Sequence, residues 1–256
     1  MLKDQLLIDA DIMLYEVCNA VEFAQDYGND VWVLSANLGE AKTQVLRIIG
    51  GYMTRFSTND FLLFISDREN FRKELTDTYK AQRKATRKPL IFPEMVKWLR
   101  EEFTDQVVTL PKLEADDAMG IYMTEPSKVF GLSKDSPIGN RIMISADKDM
   151  QTIPGKLWRQ GQLIETSEEQ ADRFWLIQTL TGDPTDGYKG CPGVGPVKAE
   201  KILGAIADFG SVERAYEASG MAKADALLNA RLARILRWND WDHEKQQVKL
   251  WEPKYA

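Results

Sequence analysis

Nine carboxylates in this chain stand where a side chain could do chemistry. Asp9 ends the apolar run LLID, Asp67 ends FLLFISD, and Asp147 and Asp149 follow RIMISA. An acid that closes a buried apolar run sits at the carboxyl edge of a strand, where open α/β sheets bind their ligands. The i, i+2 spacing of Asp147 and Asp149 on an extended chain predicts both side chains on one side. Glu114, Asp116 and Asp117 precede the apolar stretch AMGIYM. On a helix Glu114 and Asp117 fall one turn apart, with Asp116 about 100° from Asp117. The helix macrodipole explains one or two acids in a first turn but three less well. Asp183 and Asp186 lie in LTGDPTDG, which taken alone is merely a turn. Carboxylates gathered in one place repel each other at a cost of several kcal/mol. Hard divalent cations, Mg²⁺ or Mn²⁺, resolve that repulsion. Two such ions about 3.5–4 Å apart can activate water and stabilise both oxygens of an in-line phosphoryl displacement.

The elements that must position these acids follow from the patterning. Short apolar runs at 5–9, 31–34, 61–66, 106–110 and 141–146 alternate with helical stretches such as 38–56 and 92–103, which predicts an α/β fold with a mainly parallel central sheet and flanking helices. Residues 157–160 and 162–165, joined at Gly161, read as a hairpin. From Ser167 the pattern becomes helix upon helix, and Ser167 with Gln170 has capping-box spacing. We therefore expect an α/β domain over 1–166 and a helical domain over 167–256. The 256 residues carry 33 Lys and Arg against 39 Asp and Glu, a formal charge of −6, with 44% apolar content, which argues for a globular chain. Apolar runs fall far short of the roughly 18 residues of a membrane span. No basic-then-apolar leader opens the sequence, so a cytoplasmic protein is expected. Cys18 and Cys191 cannot build a disulfide framework. The lone His243 excludes His/Cys zinc sites and Ser–His–Asp catalysis.

One segment breaks the acidic background. Residues 79–88, YKAQRKATRK, hold Lys80, Arg83, Lys84, Arg87 and Lys88 without an acid, either a solvated helix face or a phosphate-binding stripe. Further on, GYKGCPGVGPVKAEKILGAI places Gly190, Gly193, Val194 and Gly195 before a helix that Pro196 opens and Lys198 and Lys201 flank. Free N–H groups at such a helix start form an anion site. The pattern is that of a helix-hairpin-helix over about 180–206, which grips a DNA backbone without reading bases. The glycines follow no strand, which rejects a dinucleotide-binding fingerprint.

This acid set followed by the GVGP hairpin resembles the 5′-nuclease (flap endonuclease) family, over Leu6 to about Leu203. DRENFRKELTDTYKAQRKATRKP, ISADKDMQTIP, GDPTDGYKG and ARILRWND are similar to the 5′→3′ exonucleases of short-tailed, T-odd-type bacteriophages. The resemblance implies a 5′-nuclease (PIN-like) fold with a helix-three-turn-helix. It also implies a two-metal 5′→3′ exonuclease or structure-specific flap endonuclease that hydrolyses phosphodiester bonds. Substrates would be duplex DNA with 5′ ends or flaps and RNA–DNA hybrids, including primers, in phage DNA replication and host DNA degradation in the host cytoplasm. Phage single-strand-binding or replication proteins are implied partners. Asp9, Asp67, Glu114, Asp116 and Asp117 would hold one metal group and Asp147, Asp149, Asp183 and Asp186 a second, with K⁺ near Gly193 and Gly195. Tyr79, Lys80 and Arg83 match the start of a helical gateway, here a short one over about 79–100; there the two cations contact the scissile phosphate and the tyrosine stacks on a terminal base. Lys84, Arg87 and Lys88 would extend the DNA contact, with Val194, Lys198 and Lys201 at the hairpin. Asp11 matches an acid of the phage subgroup, and Gly187 stands where the family commonly has asparagine.

Two other readings compete. A haloacid-dehalogenase-like phosphatase would use Asp9 as nucleophile and Asp11 as acid/base in LLIDADIML, leaving the Glu114–Asp117 cluster and the hairpin idle. A DNA-binding accessory module without catalysis would use the hairpin and stripe alone, but so many acids near phosphate would oppose binding. Trp238, Trp241 and Trp251 are expected to pack the C-terminal tail. Arg231, Arg234 and Arg237 recur at helical spacing and either extend a DNA track or face solvent.

Overall fold

The computed structural model describes residues 3–82, 87–126 and 138–253. β1 (Lys3–Asp9) lies between β4 (Asp60–Phe64) and β6 (Ile138–Ile144), parallel to both, with Leu7 beside Leu62 and Met143. Side chains alternate across a strand, and here the alternation sorts residues into two cores. Leu6, Ile8, Leu63, Ile65, Ile142 and Ile144 pack on α1 (Ala10–Ala20), α2 (Leu38–Arg55) and α4 (Phe92–Glu102); the one-turn α3 (Arg72–Leu75) precedes α4 in the chain. Leu7, Phe64 and Met143 face the opposite way, onto α5 (Ala115–Met123). β5 (Val107–Val108), β7 (Gly155–Arg159) and β8 (Gln162–Thr166) complete a six-stranded sheet in the order β5-β4-β1-β6-β7-β8, in which only β8 runs antiparallel to its neighbour. The mainly parallel sheet with flanking helices and the 157–165 hairpin are as expected.

Two strand expectations are corrected. The 106–110 run contributes only Val107 and Val108 to the sheet edge. The 31–34 run becomes β3 (Trp32–Ala36), which pairs with β2 (Glu22–Asp26) in a separate antiparallel ribbon. Gly28, Asn29 and Asp30 all have positive φ, so the chain reverses before β3 can reach the main sheet.

The second part is helical, and the Ser167–Gln170 capping box opens α6 (Glu168–Thr181) with both reciprocal bonds, at 2.9 and 3.2 Å. With α7 (Pro196–Leu203), α8 (Phe209–Ala218) and α9 (Lys223–Ala233) it surrounds Trp175, Leu176, Leu180, Tyr216 and Ala230. The tail packs as expected: Trp251 meets Trp175 and Phe209 edge-on, and Trp241 is buried. The three arginines are engaged in ion pairs and do not stand free in solvent. Arg234 pairs with Asp240 at 2.8 Å, Arg237 with Asp172 at 2.7 Å, and Arg231 with Glu252. Among the described residues no helix is long and apolar enough to cross a membrane.

Candidate metal centre

The carboxyl ends of β1, β4 and β6 open onto one cleft of about 620 Å³. Its walls carry Asp9, Asp11, Glu114, Asp116, Asp147, Asp149, Asp183 and Asp186, together with Lys80 and Arg72. Asp9 ends β1 and caps α1, its Oδ1 accepting from Ile12 N–H at 3.1 Å and its Oδ2 from the Ser145 hydroxyl at 2.8 Å. Burial, reinforced by the Asp11 charge against two opposing hydrogen bonds, pushes Asp9 up to about 7. Asp11, in the first turn of α1, accepts from Ser66 N–H at 3.0 Å, and burial raises it too.

Asp147 and Asp149 reach the cleft in a different way from that expected. The chain is not extended there. Asp147 caps a short 3₁₀ helix, Lys148–Thr152, and its Oδ1 accepts from Asp149 N–H at 2.8 Å. Burial and the Asp147 charge hold Asp149 up at about 6, and Asp149 Oδ1 is buried with no hydrogen-bond partner. The Lys148 ammonium stands 3.8 Å from that oxygen, short of hydrogen-bond contact, so the atom is still costly to bury unless a closer cation meets it.

Glu114 and Asp116 occupy the start of α5. Burial raises Asp116 well above the carboxylate range, with the charges of Asp117 and Glu114 adding to it. Glu114 is buried as well, yet Lys80 and Arg72 outweigh that burial and hold it at about 2. Lys80 Nζ lies 2.5 Å from Glu114 Oε1 and 3.6 Å from Asp186 Oδ2. Glu114, Asp116 and Asp117 present oxygens within 4.8 Å of one another.

Three expected site residues are placed differently from the rest. Asp117 is fully buried, gripped by Arg72 at 2.6 and 2.7 Å while also accepting from Leu236 N–H at 3.1 Å, so it anchors structure and does not line the cleft. Asp67 turns its oxygens to the backbone N–H groups of Arg68 and Lys112, both at 2.7 Å, and stands beside the cleft. Tyr79 is 3% exposed, and its hydroxyl donates to Glu114 Oε2 at 2.7 Å. A ring so enclosed has no face for a base to stack on.

Asp183 and Asp186 sit on the connection between α6 and α7, residues 182–195, which is longer than the tight turn expected. Gly182 and Gly190 cross there at backbone contact, where a Cβ on either would collide with the other strand of the loop. The loop is closed by Asp183 N–H to Tyr188 O at 2.9 Å, and Asp183 Oδ1 accepts from Thr185 N–H at 2.7 Å. Beyond it, Gly193 has φ +68° and Gly195 precedes Pro196 at the start of α7. Open space surrounds both glycines, Lys198 Nζ reaches Gly193 O at 3.3 Å, and Lys201 is exposed. The Val194 side chain is buried in the helical core, and its N–H donates to Cys191 O at 3.2 Å.

The basic stripe is spent unevenly. Arg87 is paired with Glu22 at 2.6 Å, so its charge is already answered, and Lys88 lies over the Phe92 ring at 5.0 Å. Arg83 and Lys84 lie outside the described residues.

Sequence reasoning missed Arg72, Ser66 and Ser145. Arg72 is 2% exposed and joins Asp117 and Glu114 to the carbonyls of Leu232 and Arg234, tying α5 to the end of α9. Nothing in RENFRKEL marks it. The serines do carry a signal: each follows an isoleucine at a strand end shortly before an acid, in FISD and MISAD. Ser66 Oγ accepts from Ala115 N–H at 2.9 Å, so one serine serves α5 and Asp11 while the other serves Asp9 and Asp147.

Comparison with known proteins agrees with this geometry. Residues 4–172 match the family model described as 5′-3′ exonuclease, N-terminal resolvase-like domain. The exodeoxyribonuclease of Enterobacteria phage T3 is 32% identical, over 98% of this chain and 94% of its own length. The exonuclease of Escherichia phage T7 is 31% identical with the same coverage. Among solved structures, T5 5′-exonuclease with bound divalent metal ions (zinc) superposes with a TM-score of 0.67 at 15% identity, covering 90% of this chain and 89% of that one. A T5 flap endonuclease variant solved with DNA and metal ions has a TM-score of 0.62 at 14% identity and the same coverage. The chain belongs to the 5′→3′ exonuclease family.

Proposed function

We propose that this chain is a divalent-metal-dependent 5′→3′ exonuclease of duplex DNA, with the cleft as its active site. The observation that carries the reading is the convergence of Asp9, Glu114, Asp116, Asp147, Asp149, Asp183 and Asp186 on one cleft beside Lys80. The donor set suits hard cations, being all carboxylate oxygen, and Asp149 Oδ1, which accepts no hydrogen bond and has only Lys148 Nζ at 3.8 Å, is an available ligand atom. Mg²⁺ or Mn²⁺ held by these residues would supply an activated water and the charge that stabilises an in-line phosphoryl displacement.

The chain's own groups do the rest. Lys80, at the rim between Glu114 and Asp186, is placed to meet a phosphoryl oxygen, and Arg83 would add a second cation. The free N–H groups at the start of α7, with Gly193, Gly195, Lys198 and Lys201, suit a phosphate of the duplex as a helix-hairpin-helix would, and carbonyls near Gly193 would take K⁺. Division into a domain over 1–166 and another over 167–256 belongs to the same reading, as do RNA–DNA hybrids and 5′ flaps as substrates, replication proteins as partners and the host cytoplasm as the setting. The phosphatase reading leaves Glu114 and Asp116, which line the same cleft as Asp9, without a part.

A 5′-labelled duplex tests the proposal. With Mg²⁺ the protein should release mononucleotides or short oligomers. EDTA should abolish release while duplex binding persists, and the Asp147→Ala/Asp149→Ala variant should lose on the order of a thousandfold in rate. Undiminished cleavage by that variant would refute the site.

A further inference from the structure

The segment bearing Lys80 and the loop bearing Asp183 and Asp186 are far apart in sequence yet joined backbone to backbone. Lys80 N–H donates to Asp186 O at 2.8 Å. The Gln82 side-chain amide donates to the carbonyls of Pro184 at 2.9 Å and Thr185 at 2.5 Å. Gly187, with φ +83°, lies directly against this segment: a Cβ there would collide with Thr78 O and come within 3.3 Å of Lys80 N. Lys80 itself has φ +51°, a left-handed conformation that a lysine keeps only where its surroundings over-determine it. Four features in two segments therefore fix one thing, the point from which the Lys80 side chain leaves the backbone.

We infer that Gln82 and Gly187 are positioning residues, a clamp that registers the basic segment on the acidic loop and so holds Lys80 Nζ between Glu114 and Asp186. The inference rests on the exonuclease reading above and assigns these two residues a part in it. The glycine at 187 is thereby explained: the chain brings the Thr78–Lys80 backbone so close that a side chain would not fit. Gln82 acts through its donor atoms alone, as both of its partners are carbonyls. Neither residue lines the cleft, and a displacement of about 1 Å at a reacting group can cost up to a hundredfold in rate.

Gln82→Met keeps the length of the side chain and removes the donors; the side chain is exposed, so folding is preserved. Three variants, Gln82→Met, Lys80→Ala and the double, are compared with wild type on a 5′-labelled duplex with Mg²⁺. Gln82→Met should lower kcat about tenfold with KM little changed, and should add less than twofold to the loss in Lys80→Ala. Hydrogen–deuterium exchange of the protein without metal or DNA gives an independent readout: the Lys80 amide and residues 183–188 should lose protection in Gln82→Met. Gly187→Ala should behave alike, and if it fails to fold, Gln82→Met decides. A Gln82→Met enzyme with unchanged kcat, full additivity with Lys80→Ala, or unaltered exchange would each overturn the clamp. If wild type does not cleave at all, it is the exonuclease reading that fails, and the exchange measurement still judges the clamp.

Discussion

The two walls of the cleft are both acidic, but only one is balanced by the chain itself. On the α5 wall, Glu114 faces Lys80 and Arg72 and is held at about 2, while Asp117 is locked to Arg72. On the opposite wall Asp9 stands at about 7 and Asp149 at about 6, raised first by burial and then by neighbouring acids, and one Asp149 oxygen accepts no hydrogen bond, with Lys148 Nζ 3.8 Å away. Asp116 lies between the two regimes, beside the cations yet raised by burial and by its acidic neighbours. The difference teaches what each wall is for. On the α5 wall the chain's own cations hold Glu114 charged; on the opposite wall the acids have only Lys148 close by, which leaves room for further positive charge.

The largest effect should come from breaking the balanced wall. Arg72→Ala leaves Asp117 buried without its partner and frees the carbonyls of Leu232 and Arg234, so it should cost about 3–5 kcal/mol, read as a lower urea midpoint. On the unbalanced wall the sign reverses. Asp9 and Asp149 have folded-state pKa values above their unfolded value of 3.8, so the folded protein binds their protons more tightly. Their contribution to stability is fully present below about pH 4 and is lost as pH rises through 6 and 7 when metal is absent. Asp9→Asn keeps an acceptor for Ile12 N–H and removes the charge. In EDTA at pH 8 it should melt higher than wild type by on the order of 2 kcal/mol of stability, with the gap closing by pH 4. Thermal melts at the two pH values check this, and a variant less stable than wild type at pH 8 would contradict it. The smallest effect concerns the outer surface. Lys198→Ala should reduce the slope of log affinity for duplex DNA against log salt by about 1, while Arg234→Ala, buried on Asp240, should leave it unchanged.

Much of this was legible in the sequence because periodicity and strand-end acids obey short-range rules. LLID, FLLFIS and RIMIS alternate between two cores as period-2 strands must, and the carboxyl edge they share follows from parallel topology. The capping box at Ser167 is equally local. What stayed hidden depends on contacts between distant segments. Asp117 and Asp116 are adjacent and chemically identical, and only Arg72, 45 residues away from Asp117, decides which of them is buried in an ion pair. Tyr79 reads as an exposed member of a basic stripe until Glu114 is seen to accept its hydroxyl. Arg234 and Arg237 have the spacing of a surface stripe but sit where α9 ends and the chain turns inward to Asp240 and Asp172. Asp147 and Asp149 were placed in the right cleft by an extended geometry the chain does not adopt, since a 3₁₀ turn also carries both to the sheet edge.

Anomalous diffraction from crystals soaked in Mn²⁺ addresses the unbalanced wall directly. The account predicts peaks within coordination distance, about 2–2.5 Å, of carboxylate oxygens from at least Asp149 and one acid of another segment. Manganese found only at scattered surface acids, with this cleft bare at saturating metal, would contradict it.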